Sequence, residues 1–258
     1  MSLFEELIEG KKKDKQIVKS FETKETLSDQ IFEEKKGHFV MRDEIKKRLL
    51  EISNDFIESL GFEFFIHDVV LTGSLANYNW SQYSDVDLHI LIDFDELDKD
   101  SKKDSIALHS IMKEFFDAKK NVWNEKHEIK IKGYDVEIYV QDVNEEHISS
   151  GVYSILHNKW VLEPKKDKPN IDDRKILEKG EEFGKKIDRL IQTPKDITID
   201  QLEDLRKKIK EFRQSGLESG GEYSYENLTF KLLRRNGYIQ KLLRLKTQLT
   251  DKKLSITQ

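Results

Sequence analysis

Apolar residues recur every three or four positions in an early segment of the chain, with charged residues between them. This spacing predicts a helix over residues 42–60. Gly61 follows in the C′ position, where glycine commonly ends a helix. The predicted apolar stripe consists of Ile45, Leu49, Ile52, Phe56 and Leu60.

Strand-like segments follow this helix at residues 63–66 and 69–71. They lead into a tight turn at Gly73-Ser74, after which a short helix is expected over residues 76–80. A second strand then runs to Ile92. Together these elements predict a strand–turn–helix–strand unit.

A second amphipathic helix is predicted over residues 101–123, with an apolar stripe of Leu108, Ile111, Met112, Phe115 and Val122. A hairpin follows, with residues 128–132 and 134–141 alternating on either side of Gly133. One face of its second strand carries Tyr134, Val136, Ile138 and Val140. The other face carries Asp135, Glu137, Tyr139 and Gln141.

The two ends of the chain differ in character. Residues 1–40 are predicted to be an arm, with a short helix that Gly10 breaks and a charged stretch beyond it. Residues 41–165 form the predicted core, and residues 166–258 form a helical C-terminal region. Its predicted helices span 172–192, about 198–214 with Thr198 or Asp200 as N-cap, and 225–249, with a break at 215–221.

Composition narrows the class of protein. The 258 residues are 36% hydrophobic and 37% charged, with 45 basic and 50 acidic residues and a net charge of −5. This balance argues against a global basic field for nucleic acid. The absence of Cys excludes disulfides and Cys-based zinc sites. With no signal-peptide core and no membrane-spanning run, a cytoplasmic protein without a membrane partner is expected.

The candidate chemistry lies in the strand–turn–helix–strand unit. Asp85 and Asp87 project from the same strand face, because side chains alternate along a strand. Two close carboxylates repel each other unless a cation lies between them, and Mg²⁺ prefers oxygen ligands. The Gly73-Ser74 turn offers backbone N–H groups and a hydroxyl to a phosphate.

A third carboxylate is expected on the hairpin. Glu137 lies between Val136 and Ile138, and would be a metal ligand or the base toward an incoming hydroxyl. Asp135, two residues earlier on the same face, is the alternative. With either residue as the third carboxylate, Asp85, Asp87 and the Gly73-Ser74 turn together predict a metal–nucleotide site.

This constellation resembles the DNA-polymerase-β-like nucleotidyltransferase superfamily, whose signature is Gly-Ser followed nine to thirteen residues later by Asp-x-Asp. Here the segments are Thr72-Gly73-Ser74 and Ser84-Asp85-Val86-Asp87, with ten residues between Ser74 and Asp85. The resemblance implies that Asp85, Asp87 and Glu137 bind two Mg²⁺ ions, with Mn²⁺ as the substitute, and that they are the catalytic residues. It also implies that Gly73, Ser74 and Ser84 bind the nucleotide.

More closely, the chain is similar to nucleotidyltransferase-like proteins encoded by tailed phages, which implies the host cytoplasm as its location. The likeness rests on residues 71–93, 136–142, 147–155 and 226–237. It supplies no substrate.

The fold expected from these patterns is α+β, a small mixed sheet with an N-terminal helix and a helical C-terminal region. The expected function is transfer of a nucleoside monophosphate from an NTP such as ATP to a hydroxyl, with release of pyrophosphate. RNA or tRNA, a small molecule and a protein remain open as acceptors. A silent nucleotide-binding module and a toxin–antitoxin-type enzyme that modifies a protein or tRNA are the alternatives.

Several polar residues have two readings. His89 either lines the site or supports it. Arg234 and Arg235, with Lys231, either contact phosphate or form a solvated helix face. Four residues after the hairpin either contact the ribose, base or acceptor or form an ordinary capped turn; these are His147, Ser149, Ser150 and Tyr153.

Overall fold

The computed structural model describes residues 3–98, 105–145, 149–192 and 197–256. The fold class is α+β, as predicted. The helices are α1 (Leu3–Lys19), α2 (Asp43–Leu60), α3 (Ser105–Lys126), α4 (Asp173–Gln192), α5 (Ile199–Gly220), α6 (Tyr225–Arg235) and α7 (Tyr238–Leu254). The strands are β1 (Phe32–Lys35), β2 (His38–Met41), β3 (Asp68–Thr72), β4 (Val86–Ile92), β5 (Lys130–Ile131), β6 (Tyr134–Asp142), β7 (Val152–Ser154) and β8 (Lys159–Leu162).

The chain forms two compact units. One comprises Thr23–Asp167, and the other combines Met1–Glu22 with Lys168–Gln258. Among the described helices, none has both the length and the apolarity needed to cross a bilayer.

The unit of residues 23–167 is organised around a six-stranded sheet with the order β5-β6-β4-β3-β7-β8. β4 and β6 pair in parallel, whereas β3 pairs antiparallel with both β4 and β7. The sheet is therefore mixed. Alternate residues of β4 are buried in one core with the apolar stripe of α2, namely Val86, Leu88, Ile90 and Ile92.

The prediction of α2 is confirmed. The helix spans Asp43–Leu60, all five residues of the predicted stripe are buried, and Gly61 adopts the left-handed conformation with φ 80°. The predicted hairpin is confirmed as β5 and β6, although β5 has only two residues. Its turn, Lys132-Gly133, has positive φ at both positions, as a two-residue type I′ turn requires.

Three local predictions in this unit were wrong. Residues 63–66 are not a strand, and Phe64 packs instead against the ring of Phe116. The helix expected over 76–80 is a 3₁₀ turn over Ser74–Ala76, because Asn77 returns to an extended conformation. The stripe of α3 was wrong in part, since Met112 and Phe115 pack against the core but Ile111 and Val122 are exposed and Phe116 is buried instead. The side chain of Leu108 and residues 101–104 lie outside the described part of the chain.

The other unit is helical. α4 begins within one residue of its predicted start and ends where predicted, but other helix boundaries differ from the prediction. α1 continues through Gly10, because its C-terminal half contributes the buried residues Ile17 and Val18. Thr198 is the N-cap of α5 and forms a capping box with Gln201. The expected break at 215–221 is wrong, since α5 extends to Gly220. The single helix expected over 225–249 divides into α6 and α7 at Gly237, which has φ 76°.

Candidate active site

The Gly73-Ser74 turn lies at the end of β3, directly beside the strand that carries Asp87. Gly73 has φ 71° and ψ −159°, a conformation that essentially only glycine adopts. A Cβ atom at Gly73 would lie 1.8 Å from Asp87 Oδ2. The turn can therefore approach the carboxylate only because residue 73 has no side chain.

Three carboxylates meet next to this turn. Asp85 immediately precedes β4, and Asp87 lies opposite Glu137 in the parallel register of β4 and β6. Each of the three is half-buried, and each offers an oxygen within 4.8 Å of the others. An all-oxygen donor set of this kind fits a hard divalent cation such as Mg²⁺.

Asp135 lies outside this group of three. Its Oδ1 is 2.7 Å from Lys130 Nζ, across the β5–β6 hairpin, and its side chain is 67% exposed. Of the two carboxylates that the sequence offered on β6, Glu137 is the one that joins Asp85 and Asp87.

Hydroxyl groups connect the turn to the segment before β4. Ser74 Oγ donates to Ser84 Oγ over 2.7 Å, and Ser84 Oγ also accepts from Ser81 N over 2.9 Å. Ser84 is buried. These bonds hold the start of the Asp85–Asp87 segment against the turn.

The loop after β6 also reaches the turn. Ser149 Oγ accepts from Gly73 N and donates to Gly151 O, and Ser150 Oγ accepts from the Asn77 side chain. Ser149 therefore bonds to the turn itself, and Ser150 bonds to the residue that follows the 3₁₀ segment. His147 lies outside the described residues.

Tyr153 is a core residue, which overturns its reading as a contact to ribose, base or acceptor. It is fully buried, its hydroxyl accepts from Met41 N over 3.1 Å, and it donates to Asn158 Oδ1 over 3.2 Å. Burial raises the pKa of Tyr153 above its usual value. A buried phenol bonded on both sides serves packing.

Tyr139 is a site residue that the sequence reasoning did not single out. Its hydroxyl donates a hydrogen bond to Glu137 Oε2. Burial raises the pKa of Tyr139, and the hydrogen bond to Glu137 and the charges of the three carboxylates raise it further. The phenol therefore stays protonated and remains a donor. The available signal was the alternation of β6, which places Tyr139 on the face of Glu137.

His89 supports this arrangement. Its ring stacks on Tyr139 with centroids 4.8 Å apart, and its Nδ1 lies 2.8 Å from Gln141 Oε1. From α3, Lys120 Nζ lies 4.4 Å from the centre of the Tyr139 ring and 3.0 Å from Asp117 Oδ1. The face of the sheet beside Glu137 thus combines an imidazole, a phenol and an ammonium group.

The basic residues expected on the last helices lie on α6, within the helical unit. The Arg235 guanidinium stacks on Phe21 at 4.8 Å and donates to Ser20 Oγ over 2.8 Å. Burial lowers the pKa of Lys231, and positive charge on Arg235 acts in the same direction. Neither Lys231 nor Arg235 is a freely solvated side chain.

Comparison with known proteins adds little to this geometry. No protein-family model matches the chain, and no curated protein matches it. Among solved structures, it is similar to the STING-associated CdnE c-di-GMP synthase from Capnocytophaga granulosa, at 14% identity over 83% of this chain and 84% of that chain, with a TM-score of 0.20. With a TM-score this low, the overlap supports no statement about a shared fold or activity.

Proposed function

We propose that the chain is a Mg²⁺-dependent nucleotidyltransferase that transfers a nucleoside monophosphate from an NTP to a hydroxyl acceptor and releases pyrophosphate. The observation that carries the proposal is the meeting of Asp85, Asp87 and Glu137 within 4.8 Å beside a glycine turn. Carboxylates this close repel one another, and a divalent cation between them would offset that repulsion.

Asp85, Asp87 and Glu137 would hold the metal. When bound, divalent ions neutralise phosphate charge and make a coordinated hydroxyl a better nucleophile. The protein itself places Asp87 and Glu137 on two hydrogen-bonded parallel strands and Asp85 immediately before the first of them. Ligands on neighbouring strands are held more precisely than ligands on a loop.

The turn at Gly73-Ser74 would bind the phosphates. The Ser74 hydroxyl oxygen, held by its bond to Ser84, and the backbone N–H groups that follow Gly73 would face the phosphates, since the N–H of Gly73 itself donates to Ser149. Because Gly73 allows the turn to approach Asp87, phosphate and metal ligands lie side by side. This proximity is what a metal-bound triphosphate requires.

In the proposed reaction, the acceptor oxygen forms a bond to the α-phosphorus, and the bond from that phosphorus to the bridging oxygen of the pyrophosphate breaks. The hydroxyl proton passes to a site carboxylate, for which Glu137 is the candidate. Tyr139 orients Glu137 through its hydrogen bond. RNA or tRNA, a small molecule and a protein are the three acceptor classes to test.

The test uses the full chain with each NTP labelled at the α-phosphate, Mg²⁺, and separate pools of RNA, protein and small metabolites. Label should enter one pool. Asp85→Asn with Asp87→Asn should abolish detectable transfer, because two of the three carboxylates that would hold the metal are lost. Asp135→Asn is the control, since it removes a carboxylate from β6, the strand that carries Glu137, but outside the site.

Two outcomes would reject the proposal. Transfer that is unaffected in the double variant means that the chemistry lies elsewhere. NTP binding without transfer to any of the pools would instead favour the silent nucleotide-binding module. Transfer to a protein or tRNA that stops its function would identify the chain as a toxin-type enzyme.

A further inference from the structure

A second group of metal-ligating side chains lies at the other end of β4. His67 immediately precedes β3, Asp93 immediately follows β4, and Glu96 lies in the 3₁₀ turn Asp95–Asp98. One ligand atom from each lies within 4.8 Å of the other two. Asp93 lies six positions after Asp87 along the strand direction, about 20 Å at the usual rise, so this group is separate from the candidate active site.

The strand pairing explains why these three residues meet. Asp68 lies opposite Leu91 in the antiparallel register, and His67 N donates to Leu91 O over 2.9 Å. The residue before β3 is therefore held beside the residues that follow β4. Their proximity is built into the sheet and does not depend on a mobile loop.

The imidazole nitrogen of His67 is the decisive feature. Nε2 is enclosed, and it makes no hydrogen bond within the described part of the chain. Its near neighbour is Glu96 Oε2 at 3.4 Å, a contact that meets the distance for an ion pair but not the geometry of a hydrogen bond. A buried ring nitrogen without a hydrogen bond is rare and requires an explanation.

A metal ion provides that explanation. With bonds of about 2.0–2.1 Å, two ligands of one tetrahedral ion lie about 3.3–3.4 Å apart. The Nε2–Oε2 separation has this value. The same separation in a hydrogen bond would be poor.

Neighbouring groups fix the ligands in place. The Phe65 ring packs edge-on against the His67 ring, with centroids 4.8 Å apart. Asp93 Oδ1 accepts from Asp95 N over 2.9 Å, and Glu96 N donates to Asp93 O. Orientation of metal ligands by surrounding groups is a regular feature of metal sites.

We propose that His67, Asp93 and Glu96 bind a zinc-class divalent cation, separately from the Mg²⁺ expected at Asp85, Asp87 and Glu137. An imidazole with two carboxylates suits Zn²⁺ or Co²⁺, whereas an all-carboxylate set suits Mg²⁺. Asp93 and Glu96 also line a cavity of about 710 Å³, which gives the ion a route of entry. The ion ties the start of β3 to the 3₁₀ turn after β4.

The test is a Co²⁺ titration of the full chain carrying Asp85→Asn and Asp87→Asn, in excess Mg²⁺, followed by visible absorption. One equivalent should bind with a tetrahedral spectrum, and Zn²⁺ should displace it. Adding His67→Gln should weaken binding at least about tenfold. Glu96→Gln, at a partly exposed residue with little effect on folding, should also weaken it.

His109→Gln is the matched control. His109 lies in the same region, but its nitrogens already face Asp95 Oδ1 at 2.8 Å and Asp142 Oδ2 at 3.5 Å. This variant should bind Co²⁺ as its parent does. No binding in the parent, or equal binding in the parent and in folded His67→Gln and Glu96→Gln variants, overturns the proposal. Because the readout is metal binding in a chain without the Asp85–Asp87 pair, the result is independent of nucleotidyl transfer.

Discussion

Tyr139 donates a hydrogen bond to Glu137 from two residues further along the same strand. The bond fixes one oxygen of the carboxylate that lies opposite Asp87 in the sheet. A charge-assisted hydrogen bond of this kind restricts the rotation of the carboxylate. This relationship makes the phenol a positioning group of the candidate site.

Tyr139→Phe should weaken Mn²⁺ binding at the candidate site and reduce nucleotidyl transfer by about tenfold or more. The reason is that a hydrogen bond to a charged group contributes about 1.5–3 kcal/mol. Titration of Mn²⁺, followed by paramagnetic relaxation, measures the first effect. Excess Mn²⁺ should restore part of the activity, which a general packing defect would not allow.

Tyr134→Phe is the control for this variant. Tyr134 lies on the same strand but on the opposite, buried face. Its loss of a hydroxyl should leave Mn²⁺ affinity unchanged. Equal Mn²⁺ affinities for wild type and Tyr139→Phe would show that Tyr139 does not position Glu137.

Gly73→Ala should abolish metal binding at the candidate site and lower the free energy of unfolding by about 1–3 kcal/mol. The new Cβ would collide with Asp87 Oδ2 and would also place alanine in a backbone conformation reserved for glycine. Mn²⁺ titration and chemical denaturation measure the two effects.

Gly133→Ala is the control that introduces backbone strain without a steric collision. Gly133 also has positive φ, but a Cβ there would meet no atom within 4 Å. It should lose stability while retaining Mn²⁺ binding. If Gly73→Ala binds Mn²⁺ as tightly as Gly133→Ala does, the close approach of turn and carboxylate has no part in the site.

The sequence predicted best those features that depend on local spacing. The stripe of α2 and the alternation of β6 both follow from the geometry of a single element, and the second led to Glu137. The parallel pairing of β4 with β6 joins residues fifty positions apart, and no local pattern encodes it. The bond between Tyr139 and Glu137 was missed for a different reason, because alternation places the two side chains on one face of β6 but does not give their rotamers.

Glycine caused the largest errors in helix boundaries. Gly216 was read as part of a break, yet it lies inside α5. A Cβ at this position would lie 2.5 Å from Glu226 Cβ on α6, so only glycine allows the two helices to pack this closely. Close packing of two helices thus requires the glycine, and the packing outweighs its helix cost of about 1 kcal/mol. At Asn236-Gly237, by contrast, the glycine does mark the end of a helix, because Asn-Gly is a typical turn pair.

Asp14→Asn should stabilise the helical unit at neutral pH by up to about 1 kcal/mol, a small value because Asp14 remains partly exposed. Burial raises the pKa of Asp14 above its usual value, more than the hydrogen bond from Asn236 lowers it. The folded state therefore favours the protonated form. The resulting contribution to stability is fully present below the pKa that Asp14 has in the unfolded chain. It is lost as pH rises through the higher pKa that Asp14 has in the folded chain.

Thermal unfolding from pH 3 to pH 7 checks this prediction. Wild type and Asp14→Asn should unfold at similar temperatures at the acidic end, and the variant should gain as pH rises. Asp29→Asn, at an exposed carboxylate, is the control for loss of one negative charge. A constant difference across the whole range would contradict the assigned role of Asp14.

Asn124→Ala should loosen β6 next to Glu137. The Asn124 side chain on α3 accepts from Ile138 N over 3.3 Å and donates to Ile138 O over 3.5 Å. Loss of both bonds leaves backbone groups of a buried residue without these partners, which costs about 1–3 kcal/mol. Hydrogen exchange of the Ile138 amide should accelerate, by more than exchange in α2. If this amide exchanges at the wild-type rate in the variant, Asn124 does not secure the strand that carries Glu137.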